Sequence, residues 1–114
     1  MDNLAALARV HAHLCGDGGL YVYKTSEKDR KIRSEICYFN SNPELISSFQ
    51  RDMNSLFHVK MTYLPKHQRI VVKSNRIAEC LLKLSLYGAR AWSIPEIFTK
   101  ADREVKLEWI KAFS

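Results

Sequence analysis

The sequence predicts an α+β domain, an antiparallel sheet with its helices gathered on one face. Three observations carry this. Two separate segments alternate apolar and polar residues in paired runs joined by polar turns, the pattern of a hairpin. Helical periodicity surrounds these pairs, so the order is helix, two strands, helix, two strands, helix, with one more helical segment. The chain has 114 residues and 46% hydrophobic content, enough for one domain whose core needs no disulfide.

The first helix covers residues 3 to 16, with Leu4, Leu7 and Leu14 available for a core. Ala8, Ala12 and Gly16 recur at every fourth position, and small residues stacked on one helix face let a second helix come close. That neighbour is either a second copy of the helix or a bulky element of the same domain. The helix ends in Cys15-Gly16-Asp17-Gly18-Gly19. A carboxylate in a last turn faces the partial negative charge of unpaired carbonyls, so Asp17 is electrostatically misplaced. Gly18 or Gly19 is expected in the left-handed conformation that stops a helix, holding the acid at the mouth of the turn, where a metal ligand would be presented.

Leu20-Tyr21-Val22-Tyr23-Lys24 reads as a strand, a turn containing Lys28, Asp29 and Arg30 follows, and Lys31 to Phe39 returns with Ile32, Ile36 and Tyr38 on one side. Asn42-Pro43-Glu44 supplies an N-cap, a proline at the first helical position and an early acid. The helix that follows directs Leu45, Phe49, Met53 and Leu56 inward. Val59, Met61 and Tyr63 alternate with Lys60 and Thr62, residues 64–68 turn the chain, and Arg69 to Lys73 returns with Ile70 and Val72 inward. Ser74 or Asn75 caps a helix through Ile77, Leu81, Leu82 and Leu84, which Gly88 stops. Ser93-Ile94-Pro95-Glu96 has the spacing of a capping box, and Val105, Trp109 and Phe113 mark a last apolar stripe.

A formal charge of +6 and a pI near 9.4 favour a polyanionic partner. On the strand faces turned from the helices the alternation places Tyr21, Tyr23, Lys31, Arg33, Lys60, Thr62, Arg69 and Lys73, with Lys24 and Lys66 at a strand end and a turn. Such side chains neutralise phosphates, and a two-stranded ribbon enters a major groove roughly 12 Å wide. A solvated basic sheet face has the same composition.

Cys15, Cys37 and Cys80 are widely spaced and odd in number, which argues against a disulfide framework or zinc knuckle and for free thiols in a reducing compartment. No apolar run approaches the roughly 18 residues of a membrane span, and no signal-peptide pattern opens the chain, so a soluble, cytoplasmic protein is expected. His11 and His13 stand two apart and point to different sides of a helix, so they do not chelate one metal together. His58 and His67 are expected at the surface. Neither a catalytic-triad order nor a phosphate-cradling glycine loop is present.

Asp17 alone binds a hard cation weakly. If the Ala8, Ala12 and Gly16 face packs on its twin about a two-fold axis, two copies of Asp17 meet at the base of the helix pair, a geometry suited to metal-assisted phosphodiester hydrolysis.

Val10 to Gly18, read as V-H-A-H-L-C-G-D-G, resembles the LAGLIDADG motif of homing endonucleases, and the helix and hairpin order resembles that family's αββαββα core. The small residues Ala12 and Gly16, the terminal Asp17-Gly18 and the tyrosine-rich strand carry the likeness. The resemblance implies a saddle whose concave sheet straddles double-stranded DNA. It implies that Asp17, with the adjoining Gly16, holds magnesium or another divalent cation. It implies that Asn40 orders water and Lys73 supplies the basic group of a catalytic set, and that Ala8, Ala12, His13 and Gly16 form a homodimer interface. Cys15 stands where the motif has its earlier acid. Residues 1–92 form the expected domain, and 93–114 a C-terminal extension that resembles the lead into a second motif helix, as in a half-length member. The implied activity is site-specific DNA cleavage. The alternatives are a remnant or maturase that binds nucleic acid without cutting, and a protein-interaction domain.

Overall fold

The computed structural model describes residues 3–24, 32–85, 87 and 92–113. The predicted turn with Lys28, Asp29, Arg30 and Lys31, and the predicted stop at Gly88, lie outside the described residues. The elements are α1 (Asn3–Asp17), β1 (Gly18–Lys24), β2 (Ile32–Phe39), α2 (Pro43–Phe57), β3 (Thr62–Leu64), β4 (Arg69–Lys73), α3 (Asn75–Leu82), α4 (Glu96–Thr99) and α5 (Arg103–Phe113). The strands form one antiparallel sheet in the order β1-β2-β4-β3. This is the predicted α+β architecture.

Cap chemistry accounts for the helix starts. Asn42 Oδ1 accepts the Glu44 N–H at 2.9 Å, with Pro43 at the first helical position, where its missing N–H costs nothing. At the next start Ser74, not Asn75, is the cap, its Oγ accepting the Ile77 N–H at 3.2 Å. Asn75 is the first residue of α3 and donates instead to the Ile32 carbonyl, tying that helix to β2. The capping box at Ser93 does not form. Pro95 takes the N-cap position of α4 with no side-chain cap hydrogen bond. Strand β3 is shorter than the alternation suggests, because Val59 and Met61 pack against the core from irregular chain ahead of it.

Two apolar clusters meet at α1. Val10 and Leu14 face the first, with Ile36, Tyr38, Ile70 and Val72 of the sheet, Phe49 and Met53 of α2, and Ile77 and Leu81 of α3. Ala5, Ala8, Ala12 and Cys15 face the second, with Phe98 of α4 and Val105, Trp109 and Ala112 of α5. The small-residue stripe is therefore the seat of α5, whose indole fills the space that alanines leave. Between α1 and α2, Arg9 grips the buried Asp52 through two hydrogen bonds of 2.8 and 2.9 Å.

Glycine at the α1–β1 junction serves close approach, not a left-handed turn. Neither Gly18 nor Gly19 has positive φ. A Cβ on Gly18 would lie 2.8 Å from both the Cys37 carbonyl oxygen and the Leu14 Cα, so only glycine lets the helix run straight into the sheet.

Candidate functional site

The abrupt passage from α1 into β1 sets Asp17 beside the outgoing end of β2. Gly18 pairs with Tyr38, and Asn40 follows two residues later. Asn40 is held on both its main chain and its amide. Its N–H donates to the Gln68 carbonyl at 2.9 Å, and its Oδ1 accepts the Asn42 N–H at 2.8 Å. The amide nitrogen is thereby turned inward, where it donates to the Tyr38 hydroxyl at 3.2 Å and to Asp17 Oδ2 at 3.4 Å. Two of the three residues that the resemblance named as a catalytic set, 23 positions apart, are in contact. Tyr38 is buried beneath it, and burial, reinforced by the Asp17 charge, pushes its phenol up to about 12, so it stays protonated.

Lys73 is not part of this constellation. It pairs with Glu35 in the register, whereas Arg69 pairs with Phe39 beside Asn40, so the two basic residues are four positions apart. At about 3.4 Å per residue that is roughly 14 Å along the strand. An alternating strand places a basic residue at either end, and only the pairing register decides which end meets the acid. Lys73 instead joins Arg33, Ser34, Ser74 and Asn75 around a cavity of about 280 Å³ at the far end of the sheet. Arg69, paired with Phe39, and Lys66, exposed in the turn at 65–68, are basic residues of the sheet toward the Asp17 end.

Cross-strand partners point the same way, so the register separates the two faces. Leu20, Ile36 and Val72 share the helix-covered face. Tyr21, Glu35 and Lys73 line up on the open one, as do Tyr23 with Arg33, Phe39 with Arg69, and Cys37 with Val71 and Thr62. The expected grouping of Tyr21, Tyr23, Arg33, Thr62, Arg69 and Lys73 on one face is thus observed. Lys60 departs from it: it lines a cavity with Gln50, Arg51 and Asn54 of α2, at the sheet's edge and toward the helices. Lys24 pairs with Ile32 in the ladder, and Lys31 is outside the described residues.

One cluster on the open face escaped sequence reasoning. The Cys37 thiol donates to Glu35 Oε1 at 3.2 Å, and Arg69 approaches the same carboxylate at 3.8 Å. Burial, then the Glu35 carboxylate, pushes the thiol up to about 12, so it is not a nucleophile. A Glu-x-Cys alternation within one strand carries no signal by itself; its partner Arg69 comes from β4.

The expected dimer interface is occupied by the chain itself. Ala8 and Ala12 have no exposure beneath α5, and His13 lies under the rings of Tyr38 and Phe49. Gly16 sits beside the main-chain carbonyl of Phe113. Four-residue spacing of small residues specifies a close helix neighbour without naming it, and here the neighbour is α5. His11 and His13 point to opposite sides of α1, as their spacing requires, and His58 and His67 are exposed. His58 has φ of 54° as the left-handed C-cap of α2.

Neither a protein-family profile nor a curated protein matches this chain. Solved structures do. Mesophilic variants of the homing endonuclease I-DmoI superpose with a TM-score of 0.71 at 15% identity, over 99% of this chain and 58% of theirs. An I-DmoI variant in complex with its target DNA, nicked in the coding strand in the presence of manganese, superposes at 0.72 with 16% identity, over 99% of this chain and 61% of that one. The chain spans about three fifths of the length of these neighbours. At such identity the likeness concerns the fold alone: the α+β fold of this chain is that of a LAGLIDADG homing endonuclease.

Proposed function

We propose that this chain is the DNA-binding, acid-bearing half of a homing-type endonuclease. Double-stranded DNA lies across the open sheet face, and Asp17 presents a carboxylate to a divalent cation beside the phosphodiester. The observation that carries the reading is the Asp17–Asn40 contact at the edge of a basic, tyrosine-bearing sheet. Asn40 is locked by Asn42 and Gln68, so it orients Asp17.

The donor set suits half of a metal site. Asp17 is exposed, and Gly16 adjoins it in the last turn of α1, where helix carbonyls lack intrahelical partners. Among the described residues no three His, Cys, Asp or Glu side chains converge, so the reading asks for an ion held by few carboxylates and several waters. Bound there, magnesium or manganese supplies charge stabilisation at the phosphoryl oxygens. Lys66 and Arg69 neutralise phosphate at this end of the sheet, and Arg33 and Lys73 do so at the other. α5 occupies the α1 face on which the resemblance seats a second motif helix, with Phe113 against Gly16 at the Asp17 end.

Binding without cleavage is the second reading, and the single carboxylate favours it. The test is nicking of supercoiled plasmid by the full chain with magnesium or manganese, alongside fluorescence anisotropy on duplex DNA over a salt series. Metal-dependent nicking that Asp17→Asn removes while binding persists supports the nuclease. Salt-sensitive binding with no nicking selects the second reading, and absence of duplex binding overturns both.

A further inference from the structure

Where β4 passes into α3, the sheet ends in a cleft of about 280 Å³ lined by Arg33, Ser34, Lys73, Ser74 and Asn75. The Glu35–Lys73 pairing, continued past the ladder, sets Ser34 opposite Ser74 and Arg33 opposite Asn75, and the Asn75 amide fastens the helix start to the Ile32 carbonyl at 2.9 Å. The N-terminus of α3 is therefore one wall of the cleft. Ser34 is the unusual member. It is 6% exposed, and its side chain has no hydrogen-bond partner among the described residues. The partnerless side-chain atoms sealed from solvent there belong to His13 and Arg69, so the Ser34 hydroxyl opens onto the cleft that it lines. Native proteins seldom keep so buried a polar group without a partner.

We propose that this cleft binds one phosphate group, with the Ser34 hydroxyl and the Asn75 N–H as hydrogen-bond donors and Arg33 and Lys73 as counter-charges. Ser74 Oγ takes the Ile77 N–H and the Ser74 carbonyl takes that of Ala78, which leaves the Asn75 N–H without a partner among the described residues. An open N–H at a helix start, with the dipole behind it, favours an anion. No acid stands in the first turn of α3 or in the lining of the cleft to answer that charge. Glu35, the register partner of Lys73, turns the other way along the sheet: it accepts the Cys37 thiol at 3.2 Å and lies 3.8 Å from Arg69. Neither Arg33 nor Lys73 has an ion pair among the described residues. A phosphate carries three strong acceptor oxygens, enough to meet two donors and two cations together. The cleft stands on its own donors; that its phosphate is one of a duplex backbone rests on the function proposed above.

The test is a backbone amide NMR titration of the full chain with inorganic phosphate, and separately with random-sequence duplex DNA, in a phosphate-free buffer. Phosphate is expected to move the amide signals of Ser34, Asn75 and Arg76. Ser34→Ala should weaken its affinity about tenfold without lowering the urea midpoint, since the hydroxyl removed has no partner in the protein. Proline is tolerated at the first helical position, so Asn75→Pro deletes that donor and keeps the helix; it should bind phosphate less tightly than Asn75→Ala, which retains the N–H. Duplex that moves the same signals assigns a backbone phosphate. A response to inorganic phosphate alone assigns a free phosphate and separates the cleft from the DNA reading. Signals indifferent to both probes, or an affinity that Ser34→Ala leaves intact, overturn the proposal whatever the plasmid assay gives.

Discussion

The indole N–H of Trp109 donates to Nδ1 of His11 at 2.9 Å, joining residues 98 positions apart inside the α1–α5 interface. That acceptor role places the His11 proton on Nε2, which meets Ser85 Oγ at 2.9 Å. The Cys15 thiol lies one turn away, between 3.6 and 3.7 Å from the ring. A polar link therefore fixes α5 on a face otherwise made of alanines. Trp109→Phe keeps the ring but leaves Nδ1 unpaired, and should cost about 1–3 kcal/mol in urea denaturation. Trp109→Ala should cost about 3–5 kcal/mol.

Acid should destabilise this protein through its buried histidines. Burial lowers His11 and His13 from 6.5 to about 4. The unfolded chain then binds more protons than the folded one between those values, so stability rises with pH through that window and is complete above the unfolded midpoint. On lowering the pH from 7 to 4 the two histidines together should remove a few kcal/mol. Chemical denaturation at stepped pH checks this; a flat profile over the window contradicts it, as does one that loses stability with rising pH.

Enlarging the small-residue face separates an intrachain seat from a dimer seam. Ala12→Leu inserts a branched side chain where α5 lies, and overpacking of this kind costs typically about 1–3 kcal/mol. The loss should appear with an unfolding midpoint independent of protein concentration. A concentration-dependent midpoint in the parent chain, matched by a dimeric solution mass, would restore the two-fold arrangement.

Gly18→Ala should be disruptive despite its small size. The added methyl meets Leu14 Cα and the Cys37 carbonyl oxygen, main-chain atoms that cannot rotate aside. A loss of about 1–3 kcal/mol is expected. Because the junction also sets Asp17 against Asn40, any metal-dependent nicking should fall further than the stability loss alone explains. Gly16→Ala, whose methyl would meet Phe113 at 3.4 Å or more, should be much milder.

Salt should weaken DNA binding steeply, since each neutralised phosphate contributes a slope of about −0.9 in log affinity against log salt. Arg33→Gln with Lys73→Gln should flatten that slope by about two units. Lys60→Gln should leave it nearly unchanged, because Lys60 sits with α2 residues.

Most of the element order was legible in the sequence because it rests on local physics. Asn42 and Pro43 start α2 by cap chemistry that needs no distant partner, and Ile36, Tyr38, Ile70 and Val72 face inward by alternation. The resemblance assigned Asp17 and Asn40 separate roles, and their hydrogen bond is a product of the pairing register. Lys73 and Lys60 were misplaced because basic residues at strand ends look alike until pairing is known. Tyr38 read as a core residue, and its hydroxyl under Asn40 had no signal in the sequence.

The sequence by itself determined the α+β class, the Asn42 cap of α2, the two sheet faces and the awkward acid at the end of α1. These follow from periodicity and from the electrostatics of single helix ends. Only the tertiary structure decided what lies on the alanine face, which end of β4 meets Asp17, and why Gly18 must be glycine. Those depend on long-range packing and register, where a tryptophan 98 residues away or a one-strand pairing chooses among local patterns that are individually indifferent.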